Sequence, residues 1–451
     1  MRRTSYAIDA AFFIVVVLVP LAWTKLFIAE FTITKLVVLN AGLVLAALAA
    51  TASPTALSAG STVLDRPIVA GFVILLLSAA LSDDPFTSLR GRYDSYAYGV
   101  WGLALAAAAA QFAARGARGR EQEAVRLVVW SAAAVGGYAI LQKFGIDPIF
   151  HLKELPAGGR AVSTLGSPVD LGAFLALLWP AALWRLDSER GTLSAVLAAL
   201  VAGGLIASGA RGAMLGAGVG TAIYWALTRR EPSKTLPLAP CLAVAAAAAA
   251  IAWSCRAGAS VSDQARVEVW KAALAAFRQH PWLGWGPDGF EDAFKILRSE
   301  AFVSLLGPMR YQAYAHNDLL HVLSGLGLAG AAAYAGLWAS LYGAARRALE
   351  SARGRGLAAG LAAGLIALWV NLALNPVAHE VLVLAAVCAG LLASQSAPAQ
   401  EKAPSRLPFA VLAGLAAVSL FHSVTLARAD AAYKRGIRAL AAGTFAVAQS
   451  E

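Results

Sequence analysis

Long apolar runs recur along almost the whole chain, separated by short polar stretches. A run of about 18 or more apolar residues is a candidate membrane span, because about 20 helical residues cross roughly 30 Å of hydrocarbon. The runs predict spans near 7–28, 32–50, 67–82, 95–114, 125–142, 168–184, 193–208, 212–228, 236–254, 318–344, 357–374, 379–395 and 407–427. The pattern is that of an all-α, polytopic integral membrane protein with about 12–13 transmembrane helices. One membrane domain is expected over 1–428, and a distinct amphipathic helical tail over 429–451.

The segments between the spans fall into two alternating sets. One is short and basic, holding Arg2-Arg3, Arg66, Arg115/Arg118/Arg120, Arg185/Arg190, Arg229-Arg230/Lys234, Arg346-Arg347/Arg353/Arg355 and Lys402/Arg406. The other is mostly longer, with aromatics and prolines: 83–94, 143–167, 255–317 and the short 375–378. Basic loops stay in the cytoplasm. The N-terminus is therefore expected inside, and the long loops and the tail outside.

Composition agrees, with 59% hydrophobic and 14% charged residues, which argues against two or three soluble domains. The net charge of +11 belongs to cytoplasmic loops and does not imply nucleic-acid binding. Cys241, Cys255 and Cys388 have neither zinc spacing nor an even-numbered disulfide framework, and read as small buried hydrophobes. After Met1-Arg2-Arg3 no cleavable signal peptide is expected.

Positive charge on the outer side breaks the rule and is concentrated in arginine: Arg90 and Arg92 in SLRGRYD, Arg160 in AGGRAVSTLGSP, Arg211 in ASGARGAMLG, Arg266 in DQARVEVW and Arg310 in GPMRYQAYAHND. A charge within a span costs about 2.5–3.5 kcal/mol on insertion scales, so it usually has a partner or a task. Arg211 sits in a turn between two spans, flanked by Gly209 and Gly212, which leave room beside the guanidinium. Guanidinium forks bind phosphate oxygens, so arginines converging at a bilayer suggest a phosphate-bearing lipid. The alternative for each is snorkelling, or pairing with a carboxylate such as Asp263 or Glu268.

The loop over 255–317 has helical spacing in RVEVWKAALAAF, with Val267, Trp270 and Leu274 on one face, then a glycine- and aromatic-rich WLGWGPDGF and an amphipathic EDAFKIL. It leads into YAHNDLLHVLSGLGLAG. Tyr314, His316, Asn317 and Asp318 open a span there, and His321 follows within helical reach of Asn317 and Asp318. His316 is either a general base or a helix-entry residue, with Asn317 or Asp318 as the N-cap. Gly327, Ala331 and Ala335 have the spacing of a close helix contact.

His316-Asn317 is followed by nine residues, then Gly327, two residues and Gly330. With Arg266…Trp270…Pro281…Gly284-Trp285-Gly286…Phe290 and SGARG, this resembles the O-antigen ligase/polymerase superfamily, in its O-antigen ligase-like branch, over roughly residues 10–427. GRAVSTLGSPVDLGAFL resembles a Gly-Asn-Pro-Asn segment of that family, with Ser167 and Val169 in place of the asparagines. SLRGRYDSYAYG is similar to a region that often carries an arginine where Ser95 or Tyr96 stands. The resemblance implies a metal-independent glycosyltransferase of the integral-membrane C-type architecture. It would move a glycan from undecaprenyl diphosphate to a hydroxyl of lipid A-core, of a growing glycan or of a protein, at the periplasmic face of a bacterial inner membrane. No cofactor is expected, and no metal-binding motif is present.

The residues are of the kinds that the transfer implied by the resemblance needs. The leaving diphosphate needs fixed cations, the attacking hydroxyl needs a base such as His, and the lipid needs an apolar groove. No carboxylate pair suited to a double displacement is visible, so direct displacement with inversion is expected. Arg211 and Arg266 are expected to hold the diphosphate and His316 to activate the acceptor. Arg92 and Arg160 are further candidates, with Arg90, Arg310, Tyr314, Asn317, Asp318 and His321 lining the site. His379-Glu380 and Asn371/Asn375 either line an acceptor path or cap helices. The tail, ADAAYKRGIRALAAGTFAVAQSE, either begins a tetratricopeptide repeat or docks on the membrane domain. The rival from another class is a secondary transporter or flippase, but no internal repeat is seen and the polar residues gather at one face rather than at the midplane.

Overall fold

A computed structural model describes residues 2–52, 61–93, 95–150, 159–229, 261–351, 354–396 and 407–441. The expected span at 236–254, Cys241, Cys255, His151 and the last ten residues of the tail lie outside them. Among the described residues the regular elements are helices, with no strand.

The chain runs through α1 (Arg2–Phe13), a π-helical turn (Ile14–Leu18) and α2 (Thr32–Ala52) to α3 (Asp65–Ala80), the short α4 (Pro85–Arg90), α5 (Val100–Gly116) and α6 (Glu121–Lys143). Next come α7 (Pro168–Glu189), α8 (Thr192–Ser208) and α9 (Arg211–Thr228). The large loop contributes α10 (Val261–Gln279), α11 (Phe290–Leu297) and α12 (Glu300–Leu306); α13 (Asp318–Glu350), α14 (Arg355–Leu372), α15 (His379–Gln395) and α16 (Leu407–Ala441) follow. Apart from 236–254, each expected span falls on a helix, so the apolar runs locate the bundle well. Five helices (Thr32–Ala52, Glu121–Lys143, Pro168–Glu189, Asp318–Glu350 and Arg355–Leu372) are each long and apolar enough to cross a membrane. The chain is an integral membrane protein. Two spans differ at one end: the first helix stops by Leu21, just after Pro20, and α5 begins only at Val100, because Ser95–Gly99 belong to a loop in which Tyr96 has φ 49°.

The bundle is organised around α7, most of which is buried between α8, α9 and α14. Ser167 starts α7 by accepting from the N–H groups of Val169 and Asp170, and Pro168 takes the first helical position, where no N–H is needed. Helices in lipid associate through close packing rather than a hydrophobic drive, so small residues line their seams. Gly212, Gly216 and Gly220 present such a seam from α9 to α14: a Cβ at Gly216 would lie 2.1 Å from the Ala367 carbonyl oxygen. Gly364 does the same from α14 to α7, 2.2 Å from the Leu177 carbonyl oxygen. These contacts run α9 and α14 antiparallel, which brings Arg211 beside the end of α14 at Asn371.

Helix α13 is broken at Gly327, whose φ of 63° and ψ of −158° are non-helical. The break frees backbone groups that the WLGWG segment takes up. Leu328 and Ala329 donate to the carbonyls of Pro281 and Trp282 (2.8 and 3.1 Å), and Trp285 and Gly286 donate to those of Ser324 and Gly325 (2.9 Å each). A Cβ at Gly327 would sit 2.4 Å from the Trp282 carbonyl carbon. The glycine thus serves a loop docked into a helix break, not the helix–helix contact its spacing suggested.

The loop has its own small core, in which Phe290, Phe294 and Phe302 pack on Ala265, Val269, Ala272 and Ala273 of α10. The buried face of α10 is therefore the alanine-rich one, which lets the helix lie close to its neighbours. Val267 and Leu274 of the expected face are 44% and 39% exposed.

Two polar contacts tie distant elements together. Lys35 of α2 and Glu380 of α15 form an ion pair at 2.9 Å, both nearly fully buried, and Lys35 also donates to the Thr164 carbonyl at 2.8 Å. His379 bonds the Gly102 carbonyl oxygen at 3.0 Å. His379-Glu380 thus join helices at the start of α15. Helix α16 runs without a break past residue 429. There Asp430 accepts from Ile28 N–H and from the Tyr93 hydroxyl, and Lys434 reaches the Lys25 carbonyl (3.0 Å) and Glu30 (2.8 Å).

Candidate functional site

At the SGARG turn, α8 ends at Ser208 and Gly209 takes the left-handed conformation, with φ 58°. The Ser208 hydroxyl donates to the Leu205 carbonyl (2.6 Å) and accepts from Ala210 N–H (3.2 Å), which fixes the reversal. Helix α9 begins at Arg211, which is exposed and has no ion-pair partner among the described residues. Arg160 lies across the same turn. Its Nε donates to the Ser208 carbonyl at 2.8 Å, and a Cβ at Gly209 would lie 3.3 Å from its Cγ. The backbones are tied as well, Ala161 N–H donating to the Ala207 carbonyl at 3.1 Å. Burial, and then the Arg211 charge, lower the Arg160 pKa. Two guanidinium groups at an unblocked helix N-terminus suit an anion.

Arg266 reaches this patch through asparagines at the end of α14. Its Nη2 donates to Asn375 Oδ1 at 3.2 Å, and its Nη1 pairs with Asp263 at 3.2 Å. Asn375 in turn donates to Asn371 Oδ1 at 3.4 Å. A Cβ at Gly212, next to Arg211, would lie 2.7 Å from Asn375 Nδ2. The start of α9 and the Arg266 guanidinium therefore meet the same asparagine from two sides.

His316 stands on the other side of Arg266. Its backbone is left-handed, with φ 51°, a conformation that costs about 1–3 kcal/mol and recurs at functional sites. Asn317 caps α13, accepting from Leu320 N–H at 3.0 Å, and anchors the turn by donating to the Ala373 carbonyl at 3.1 Å. The helix-entry role thus falls to Asn317, which leaves the imidazole free of it. His316 Nε2 bonds Gln312 Oε1 at 3.1 Å, while Nδ1 is buried with no hydrogen-bond partner among the described residues. Burial, and then the Arg266 charge, lower the ring's pKa to about 4, so at neutral pH it is an uncharged base.

An aromatic wall backs the imidazole. His321 lies edge-on to Tyr98 (4.9 Å between ring centroids) and Phe290 (6.0 Å), and tilted on Tyr314 (5.6 Å). Asp318 accepts from the Tyr334 hydroxyl. Tyr98, Tyr314, His316, Asn317, Asp318 and His321 enclose a small niche. Tyr98, Asp318 and His321 also border a second, apolar cavity of about 350 Å³ between α3, α5, α13, α14 and α15. It reaches along the bundle to Leu64 and Leu341.

The other arginines have different surroundings. Arg92 is held by carboxylates, pairing with Glu291 (2.9 Å) and Asp292 (2.8 Å) while its N–H donates to Asp288 Oδ2 at 2.8 Å. It fastens its own segment to the 286–292 turn. Arg90 packs over the rings of Phe86 and Tyr96 at 5.6 and 5.8 Å. Arg310 is exposed, beside Met309. The structure thus gathers Arg160, Arg211, Arg266, Tyr314, His316, Asn317, Asp318 and His321 at one end of the bundle. It adds Gln312, Tyr98 and Tyr334, which the sequence reading missed. Gln312 carries no periodic signal, and the two tyrosines read as ordinary span aromatics.

No curated protein matches the chain in sequence comparison. The family model of the O-antigen ligases matches residues 195–335, a stretch holding the SGARG turn, Arg266, the WLGWG segment and His316 through Gly330. Over residues 195–335 the chain is thus similar to the O-antigen ligases, as its sequence motifs imply.

Proposed function

We propose that the chain transfers an oligo- or polysaccharide from undecaprenyl diphosphate to an acceptor hydroxyl at the periplasmic face of a bacterial inner membrane, with the N-terminus in the cytoplasm. The observation that carries this reading is the chain of contacts that links Arg160 and Arg211, through Asn375, to Arg266 and His316, whose Nδ1 has no hydrogen-bond partner among the described residues. Arg211 and Arg266 grip the diphosphate through charge-assisted hydrogen bonds, and Arg160 adds a third cation. The prenyl chain lies in the apolar cavity whose mouth borders the same niche.

His316 takes the proton of the acceptor hydroxyl. The new bond from that oxygen to the anomeric carbon forms as the bond to the diphosphate breaks, with inversion. The electron pair leaves on the diphosphate, where the guanidinium groups stabilise the developing charge without a metal. The long loop, pinned into the break at Gly327, covers this end of the bundle and supplies Arg266 and His316 together.

The test is transfer from a lipid-linked oligosaccharide by purified wild type, His316→Ala and Arg211→Ala, offered lipid A-core, glycan and peptide acceptors. The reading expects transfer by wild type to one of them and a loss of about 100-fold or more in each variant. Undiminished transfer by both variants overturns the assignment. Uptake of the donor into proteoliposomes without a new glycosidic bond supports a transporter instead.

A further inference from the structure

We propose that Gln312 is a positioning residue for the transfer step: its side-chain oxygen accepts from His316 Nε2–H and so leaves the Nδ1 lone pair as the proton-accepting site. The proposal rests on His316 being the base. The contact is His316 Nε2 to Gln312 Oε1 at 3.1 Å, and a carbonyl oxygen can only accept, so Nε2 carries the hydrogen. The opposite arrangement, with the amide turned over, would put the hydrogen on Nδ1. Nδ1 is buried and has no acceptor among the described residues, and an unpaired buried N–H is costly. A neutral ring has one lone pair, and here it belongs to the nitrogen that has no hydrogen-bond partner among the described residues.

The charged and titratable neighbours do not supply this control. Arg266 of α10 is a cation and disfavours a protonated ring. Asp318 of α13 is engaged by the Tyr334 hydroxyl, and His321, Tyr98 and Tyr314 pack against one another as rings. Gln312 lies four residues before His316, on the irregular approach to α13, and hydrogen-bonds the imidazole. An amide in this place orients the ring while adding no charge, so the base stays neutral beside Arg266. During transfer the acceptor O–H proton moves to Nδ1 and its oxygen bonds the anomeric carbon. The diphosphate departs with the bonding pair, and the resulting imidazolium keeps its Nε2–H on Gln312. Solvent then removes the Nδ1 proton.

The experiment is solid-state NMR of the full chain, histidine-labelled with ¹³C and ¹⁵N and reconstituted in lipid, with the His316 signals identified by their loss in His316→Ala. At pH 7 the proposal expects a neutral ring protonated at Nε2. In Gln312→Leu that tautomer is no longer enforced, and transfer in the assay above falls by about tenfold or more. In Gln312→Glu the Nε2 tautomer persists and the protonation midpoint rises by about one pH unit or more, because the new carboxylate favours the imidazolium. Unchanged signals from the other histidines report an intact fold in each variant. A wild-type ring protonated at Nδ1 overturns the proposal. So does a Gln312→Leu protein with wild-type tautomer and rate while His316→Ala is inactive, a result that leaves His316 as base. Wild-type transfer by His316→Ala instead overturns the base assignment itself.

Discussion

At the residue scale the proposed site rests on a neutral imidazole beside the Arg266 cation. Burial and Arg266 hold His316 near pKa 4 against an ordinary 6.5. The folded pKa is lowered, so the ring is neutral and competent above about pH 4 and is lost as a base only below it. The kcat/KM profile of the free enzyme should therefore have its acidic midpoint near 4, and Arg266→Gln should move that midpoint up towards 6.5. An acidic limb at 6.5 in wild type would contradict the environment described. At Arg211 the fork matters as well as the charge: a lysine cannot offer paired donors, so Arg211→Lys should recover only part of the transfer lost in Arg211→Ala. Steady-state rates for the two variants measure this directly.

At the element scale the break in α13 and the loop docked into it set the distance between Arg266 and His316. Gly327→Ala places a Cβ against the Trp282 backbone in a left-handed conformation, and should destabilise the protein by about 2–4 kcal/mol. Thermal unfolding in detergent reads the change, and a melting temperature equal to wild type would argue against the docked geometry. Arg92 makes the complementary case. Its carboxylate partners predict that Arg92→Ala lowers stability by about 1–3 kcal/mol while leaving donor affinity near wild type. Much of this level was not legible in the sequence. The spacing of Gly327, Ala331 and Ala335 looks the same whether a glycine packs against a helix or breaks one, because the deciding partner is the WLGWG segment some forty residues upstream. Likewise Arg92 looks like a free outer arginine until folding brings Glu291 and Asp292 to it. On α10 the bulky residues do not mark the buried stripe, because here the closest packing falls on alanines.

At the scale of the molecule, the bundle itself was readable, because hydrocarbon demands long apolar helices and leaves the loops to carry the charge. Arg211 stands out in the sequence for the same reason: a cation at a membrane is costly unless it has a partner or a task. The sequence does not show which arginines lie together, since Arg160, Arg211 and Arg266 come from segments far apart in the chain. The fold joins them because the glycine seam of α9 runs antiparallel to α14, so Arg211 and Asn375 end up side by side. The account places this end of the bundle outside the cell membrane. In an otherwise cysteine-free protein, Met309→Cys should react with a membrane-impermeant maleimide on intact cells, and Glu350→Cys only after permeabilisation; the reverse pattern would invert the topology. The central claim, that these arginines hold a prenyl diphosphate beside His316, is tested most directly by the Kd of purified protein for undecaprenyl diphosphate. The account predicts that His316→Ala binds it as wild type does, while Arg211→Ala and Arg266→Ala each bind it about tenfold or more weakly. Equal affinity in all four proteins would contradict it.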